Sequence, residues 1–203
     1  MLTAESGSFR LRLDDGGSSD RDYNDLDLRI TSSLTASDSN AIAMARLQTS
    51  SADAILDLTT IPTDGSRLRI SILTDCGYVN RLGLVKVDSI TGSYQVAGVA
   101  AGNTDAFRKA VSDNLINPGG SVITAGGRTS RSIDWTVTSA DAGFYAAVLI
   151  NQNGQVFTFG ATASDGQQHV KVLGDNTFGF EDLLKSQGSD WDFNDLRVQI
   201  AYA

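Results

Sequence analysis

The stretch Arg67-Leu68-Arg69-Ile70-Ser71-Ile72-Leu73 decides the fold class. Apolar and polar side chains alternate along it, so an extended chain turns one face to a core and the other to water. The same period of two recurs in Phe9-Arg10-Leu11-Arg12-Leu13, Leu26-Asp27-Leu28-Arg29-Ile30, Leu84-Val85-Lys86-Val87 and Leu196-Arg197-Val198-Gln199-Ile200. Strands with one wet face suit antiparallel sheets better than parallel sheets covered on both sides. Phe144-Tyr145-Ala146-Ala147-Val148-Leu149-Ile150 is apolar throughout and is expected in a central strand. Twenty Gly and only two Pro fit many tight turns. One helix is expected, capped by Thr104, with Phe107, Ala110, Val111 and Leu115 on one face and a stop at Asn117-Pro118-Gly119-Gly120. The expected architecture is all-β: residues 1–203 as a single domain, an antiparallel β-sandwich with one short helix and Ca²⁺-binding loops.

Composition narrows the function classes. Hydrophobic residues make up 41% of the 203, enough for a sizeable core. Acids outnumber bases 24 to 16, a net charge of −8, which makes nucleic acid and anionic membranes poor partners. No run of about 18 apolar residues exists, so membrane insertion by a helix is not expected. Met1–Ser6 has neither a basic start nor an apolar run, and no signal peptide is expected there. Cys76 is the single cysteine and His169 the single histidine, which rules out an intrachain disulfide framework, a cysteine zinc cluster and a multi-histidine site. Only Glu5 and Glu181 among the acids are Glu; the other 22 are Asp. Asp favours turns and caps over regular structure, and it is a short, hard oxygen ligand for Ca²⁺.

The most informative feature is a motif that occurs twice. Asp20-Arg21-Asp22-Tyr23-Asn24-Asp25-Leu26 and Asp190-Trp191-Asp192-Phe193-Asn194-Asp195-Leu196 share the pattern D-x-D-aromatic-N-D-L. Each is preceded by Gly or Ser and by further acids, Asp14 and Asp15 in one case and Glu181 and Asp182 in the other, and each leads into an alternating strand. Oxygens at positions 1, 3 and 5 of a tight loop can converge on one ion, as in an EF-hand. Asp20, Asp22 and Asn24 have those offsets, as do Asp190, Asp192 and Asn194. The EF-hand likeness ends there: position 6 is Asp25 or Asp195 where glycine is required, and position 12 is Thr31 or Ala201 where glutamate is required. The remaining oxygens would come from Asp25, Asp195, the upstream acids, backbone carbonyls or water. Two carboxylates about 4 Å apart repel by roughly 4 kcal/mol at an effective dielectric near 20. A divalent cation converts that repulsion into cross-linking; the alternative is a solvated, Asp-rich turn. Ca²⁺ suits this ligand set better than Mg²⁺, which keeps its waters, or Zn²⁺, which lacks nitrogen and sulfur partners here.

Within the two loops, Trp191 and Arg21 occupy the same motif position. Trp191 could stack on a sugar or peptide and Arg21 could pair with a carboxylate, the alternatives being packing against a neighbouring loop and a local ion pair. His169, in the alternating His169-Val170-Lys171-Val172, is expected to be a hydrogen-bonded structural residue, and Cys76 a partly buried free thiol. Asp75-Cys76-Gly77-Tyr78-Val79-Asn80 echoes the acidic motif faintly and is set aside as chance. Gly119-Gly120 and Gly126-Gly127 are expected to be turns.

From about Asn80 to Ile200 the chain resembles the bacterial domain of unknown function 4114. The resemblance rests on Asn80-Arg81-Leu82-Gly83-Leu84-Val85-Lys86-Val87-Asp88, on Phe107-Arg108-Lys109-Ala110-Val111, and above all on Phe178-Gly179-Phe180-Glu181-Asp182-Leu183 followed by Asp190–Leu196. It implies an extracellular module of a large bacterial surface protein, similar to the Ca²⁺-dependent ligand-binding domains of repeats-in-toxin adhesins. Such a module, monomeric within a longer chain, would capture a cell-surface peptide or glycan on a host or neighbouring cell. A Ca²⁺-rigidified structural segment is the main alternative. A carboxylate hydrolase using Glu181 or Asp182 is disfavoured, because a ligand-rich loop keeps such acids ionised. The chain is therefore expected not to be an enzyme.

Overall fold

The alternating segments near the start of the chain pair with one another. In the computed structural model, strands β1 (Leu2–Glu5), β2 (Ser8–Leu13) and β3 (Leu26–Thr31) form an antiparallel sheet in that order. Its register sets Phe9 opposite Ile30, Leu11 opposite Leu28 and Leu13 opposite Leu26. The structure describes the backbone of these three strands, and residues 54–59, 65–90, 93–174 and 176–203 with their side chains. The chain divides into two units, Met1–Ala43 and Met44–Ala203, each described by itself. Residues 14–25, with the acids of the N-terminal motif, lie outside the described residues.

The second unit is built on one long strand. Residues 67–73 and 84–87, separate in the sequence pattern, belong to a single strand β5 (Arg67–Val87). Its first half pairs with β13 (Leu196–Tyr202) and its second half with β9 (Phe144–Ile150), while β8 (Ile123–Thr136) runs beside both. The sheet continues through β12 (Thr177–Phe180) and β11 (Val170–Gly174) on one side. On the other it continues through β10 (Val156–Thr158) and β4 (Ile55–Asp57), both next to β9. Every pairing is antiparallel.

A bulge turns β5 from one half to the other. Cys76 faces Gly127 and Asn80 faces Ala125, so residues 77–79 of β5 stand against Gly126 alone. Such extra residues bend a strand and raise its twist. Gly126-Gly127 is therefore part of β8 and not the turn expected from sequence. A Cβ on Gly126 would come 2.7 Å from the Tyr78 carbonyl oxygen, so only glycine lets the bulge close. The curled sheet encloses a core in which Leu68, Ile70 and Ile72 of β5 join Tyr145, Leu149, Phe178, Phe180, Val198 and Ile200. The alternation thus points inward as expected, and the fold is all-β and sandwich-like.

A second apolar layer covers the back of β9. Helix α1 (Asp105–Asp113) buries Phe107, Ala110 and Val111 there, against Val85, Val87, Ala146 and Val148. Strand β9 is accordingly buried on both faces, which explains its unbroken apolar run. Thr104 caps the helix by accepting from the Phe107 N–H at 3.1 Å. The helix stops earlier than expected: the Asn114 side chain donates to the Ala110 carbonyl at 2.8 Å, and Leu115 packs on the same cluster from beyond the helix end. A short two-stranded ribbon, β6 (Gln95–Val96) with β7 (Val99–Ala100), completes the unit.

Candidate metal centre

Residues 181–195 connect β12 to β13 at the level of the β5 bulge. The first of them, Glu181, extends the β11–β12 ladder by one bond, its N–H donating to the His169 carbonyl at 3.0 Å. Its side chain is fully buried. One carboxylate oxygen accepts from the Phe193 N–H at 2.5 Å and the other from the Ser189 hydroxyl. Glu181 therefore pins the far arm of the loop back onto the strand. That return path has an unusual backbone: Trp191 and Phe193 both sit in the left-handed region, at φ 62° and 57°. This conformation is uncommon for residues with a side chain, and more so for bulky ones.

The result is convergence. Carboxylate oxygens of Glu181, Asp190 and Asp192 all lie within 4.8 Å of one another. Ligand oxygens at about 2.3–2.6 Å from one Ca²⁺ are at most about 5 Å apart, so the three can share an ion. The donor set is all oxygen, as hard cations require. Asp190 and Asp192 are exposed, so the set opens toward solvent. Asn194, expected to be a ligand, is engaged with Asp192: its backbone N–H donates to one Asp192 oxygen at 2.9 Å and its side-chain amide donates to the other.

Asp182 and Asp195 form a layer behind this set. The Asp182 N–H donates to Asp195 Oδ2 at 2.9 Å. The Asp182 carboxylate, nearly inaccessible, accepts from the Asn80 amide at 2.7 Å, and its carbonyl accepts from the Asn151 amide at 2.8 Å. The Asp195 carbonyl accepts from the Asp75 N–H at 3.2 Å. The segment Asp75–Asn80, set aside on sequence, is thus the bulge that supports the loop. Cys76 completes it, donating to the Tyr78 carbonyl at 3.3 Å. Burial, reinforced by the charges of Asp182 and Asp195, pushes its thiol up to about 11, which leaves it unreactive at neutral pH.

The electrostatics are one-sided. Among the described residues, no lysine or arginine forms an ion pair with Glu181, Asp182, Asp190, Asp192 or Asp195. The Asp195 carboxyl is pushed up to about 7, chiefly by burial and further by repulsion from Asp182, Glu181 and Asp190, against the opposing Asp182 hydrogen bond. A cation among these groups relieves both costs.

The aromatic residues of the loop act as struts. The Trp191 ring lies 4.9 Å from His169 and 6.2 Å from Phe193. His169 is buried, stacked 4.6 Å from Phe157, and its Nε2 is 3.1 Å from Asp165 Oδ2. Phe193 stays partly exposed beside β12 and beneath the Lys171 ammonium, whose nitrogen is 5.3 Å from the ring centre. A Cβ on Gly179 would run into the Phe193 carbonyl, so this strand glycine marks the place where the loop backbone touches the sheet.

Of the expected site residues, the structure brings Glu181, Asp190 and Asp192 to one point and sets Asp182, Asn194 and Asp195 around them. Asp14, Asp15, Asp20, Arg21, Asp22, Asn24 and Asp25 lie outside the described residues. Sequence reasoning missed Asn80, Ser189 and Gly179 as parts of the site. Gly179 carried a signal, since a glycine inside a strand often marks a close backbone approach. No helix among the described residues is long and apolar enough to cross a membrane. Comparison of the chain with family models, with curated proteins and with solved structures returns no match.

Proposed function

We propose that the chain is a Ca²⁺-dependent ligand-binding module of a bacterial surface adhesin, working outside the cell as part of a longer polypeptide. The observation that carries this reading is the convergence of buried Glu181 with exposed Asp190 and Asp192, none of which pairs with a lysine or arginine among the described residues. Binding through one oxygen each, the three carboxylates leave open several of the six to eight positions that Ca²⁺ takes. The open positions would accept a carboxylate from a peptide end or vicinal hydroxyls from a sugar. The resemblance to the domain of unknown function 4114 supports the same assignment and the extracellular setting. A hydrolytic role is disfavoured, because both Glu181 oxygens already hold the loop.

One observation favours the structural alternative, in which the ion only rigidifies the segment. Trp191, the candidate ligand platform, packs against His169 and Phe193. Peptide and glycan arrays probed with the intact chain in Ca²⁺ and in EDTA separate the two. EDTA-reversible capture of one ligand class is expected; no capture in Ca²⁺, with a raised melting temperature, would assign the ion to stability alone.

A further inference from the structure

The outer face of the sheet beside the loop has the opposite character to the loop. Strand register places Arg67, Arg69, Leu73 and Asp75 of β5 on this face, with Arg128 and Asp134 of β8, Arg197 of β13 and Lys171 of β11. Five cations therefore face two acids, in a chain whose net charge is −8. Both acids are matched: Asp75 accepts from Arg128 at 2.8 Å, and Asp134 from Arg69 at 3.0 Å with Arg67 at 3.5 Å. Arg197 has no carboxylate partner among the described residues, and Lys171 has only the Phe193 ring.

Arg197 also stands at the centre of a trough. Two adjoining hollows of about 390 and 300 Å³ share Leu73, Ser130 and Arg197 as walls; the first reaches Asn194 of the acidic loop and the second runs to Gln199. The other walls include Thr129, Asn194 and the Asp75–Arg128 pair in the first hollow and Ser71, Thr177 and Gln199 in the second, while Thr74 is buried with its hydroxyl on Thr129. Lys171 lies outside both hollows, separated from Arg197 by Gly179, on which the Phe193 backbone and the Leu173 side chain rest.

We propose that this trough binds an acidic polysaccharide, a carboxylate or sulfate on Arg197 and its hydroxyls on Ser71, Thr129 and Ser130. Charge complementarity carries the choice of an anionic ligand: a guanidinium presents a planar fork of donors to carboxylate or sulfate. The walls decide the class. Peptides are usually held at a sheet edge or by apolar side-chain pockets, whereas this trough crosses paired strands and offers one half-exposed leucine, Leu73. The proposal goes beyond the Ca²⁺ reading and does not depend on it.

The test is surface-plasmon binding of the intact chain to immobilised heparin and alginate oligosaccharides, with dextran, polyglutamate and a DNA oligonucleotide as comparators, each in EDTA and in Ca²⁺. Binding to one or both acidic oligosaccharides in EDTA is expected, falling steeply with salt, with none to dextran. Arg197→Glu and Leu73→Asp, both at exposed positions, should each weaken it at least tenfold, and Arg108→Glu on the helix should not. Circular dichroism of each variant checks that the fold is kept, and Arg197→Lys should retain part of the affinity. Equal binding to polyglutamate or DNA, binding in Ca²⁺ only, or unchanged affinity in folded Arg197→Glu would each overturn the proposal. Failure here leaves the EDTA-reversible capture expected of the acidic loop untouched.

Discussion

Two neighbouring regions of the second unit use aspartate in opposite ways. On the outer sheet face, Asp134 lies 3.0 Å from the Arg69 guanidinium, which holds its carboxyl below the ordinary range. In the 181–195 loop, Asp195 is pushed up to about 7 by burial and by three other acids. The first acid is matched within the chain; the second is surrounded by its own kind. A fold has no reason to hold like charges together for stability alone, because each brings desolvation and repulsion. The difference teaches that the sheet-face acids find their counter-charge within the chain, whereas the loop acids have none among the described residues and would gain it from a bound cation.

The largest effect expected of a single substitution is at Gly179. In Gly179→Ala the new methyl meets the Phe193 carbonyl, and the loop must lift from the strand. A stability loss of about 1–3 kcal/mol, typical of overpacking, should appear in urea denaturation together with lost metal binding. Gly77→Ala, whose added Cβ meets nothing within 4 Å, serves as the neutral control. Asn80→Ala comes next, because it leaves the buried Asp182 carboxylate without its amide donor. A loss of about 2 kcal/mol is expected in the same assay; a neutral result would mean that the bulge does not support the loop.

A pH titration sharpens the contrast further. The folded-state value for Asp195 lies above its unfolded value of about 4, so the native state binds the proton more tightly. The associated cost is absent below pH 4 and grows as pH rises to about 7. Metal-free protein should therefore lose stability across that window, and saturating Ca²⁺ should remove or reverse the slope, since cation and proton compete for the same charge. A flat metal-free profile would contradict the loop electrostatics. The smallest effect is expected on the sheet face, where Arg69→Ala breaks an exposed pair and should hardly move the melting temperature. A large drop there would erase the distinction between the two regions.

Much of this arrangement was legible in the residues. Period-two alternation located β2, β3, both ends of β5 and β13, and the unbroken apolar run located β9, because burial of one or two faces writes itself directly into side-chain polarity. The D-x-D-aromatic-N-D-L spacing located the loop. Other features left no such trace. The joining of residues 67–73 and 84–87 into one strand depends on a bulge whose members, Cys76 to Asn80, match no period. The partnership of Asn80 with Asp182 joins residues far apart in sequence, and only the curled sheet brings them together. Asn194 satisfied the spacing of a ligand, yet its amide nitrogen is turned to Asp192, a side-chain orientation that residue spacing does not encode.

The central claim is that Glu181, Asp190 and Asp192 hold a divalent cation. Calorimetric titration of chelator-treated protein with Ca²⁺, run beside the Asp190→Asn/Asp192→Asn double variant, tests it most directly. The account predicts saturable heat in the parent chain and one fewer bound ion in the variant, with about 2.7 kcal/mol of added stability in the parent at a hundredfold excess over Kd. Identical titrations of the two proteins, or no heat in either, would contradict it.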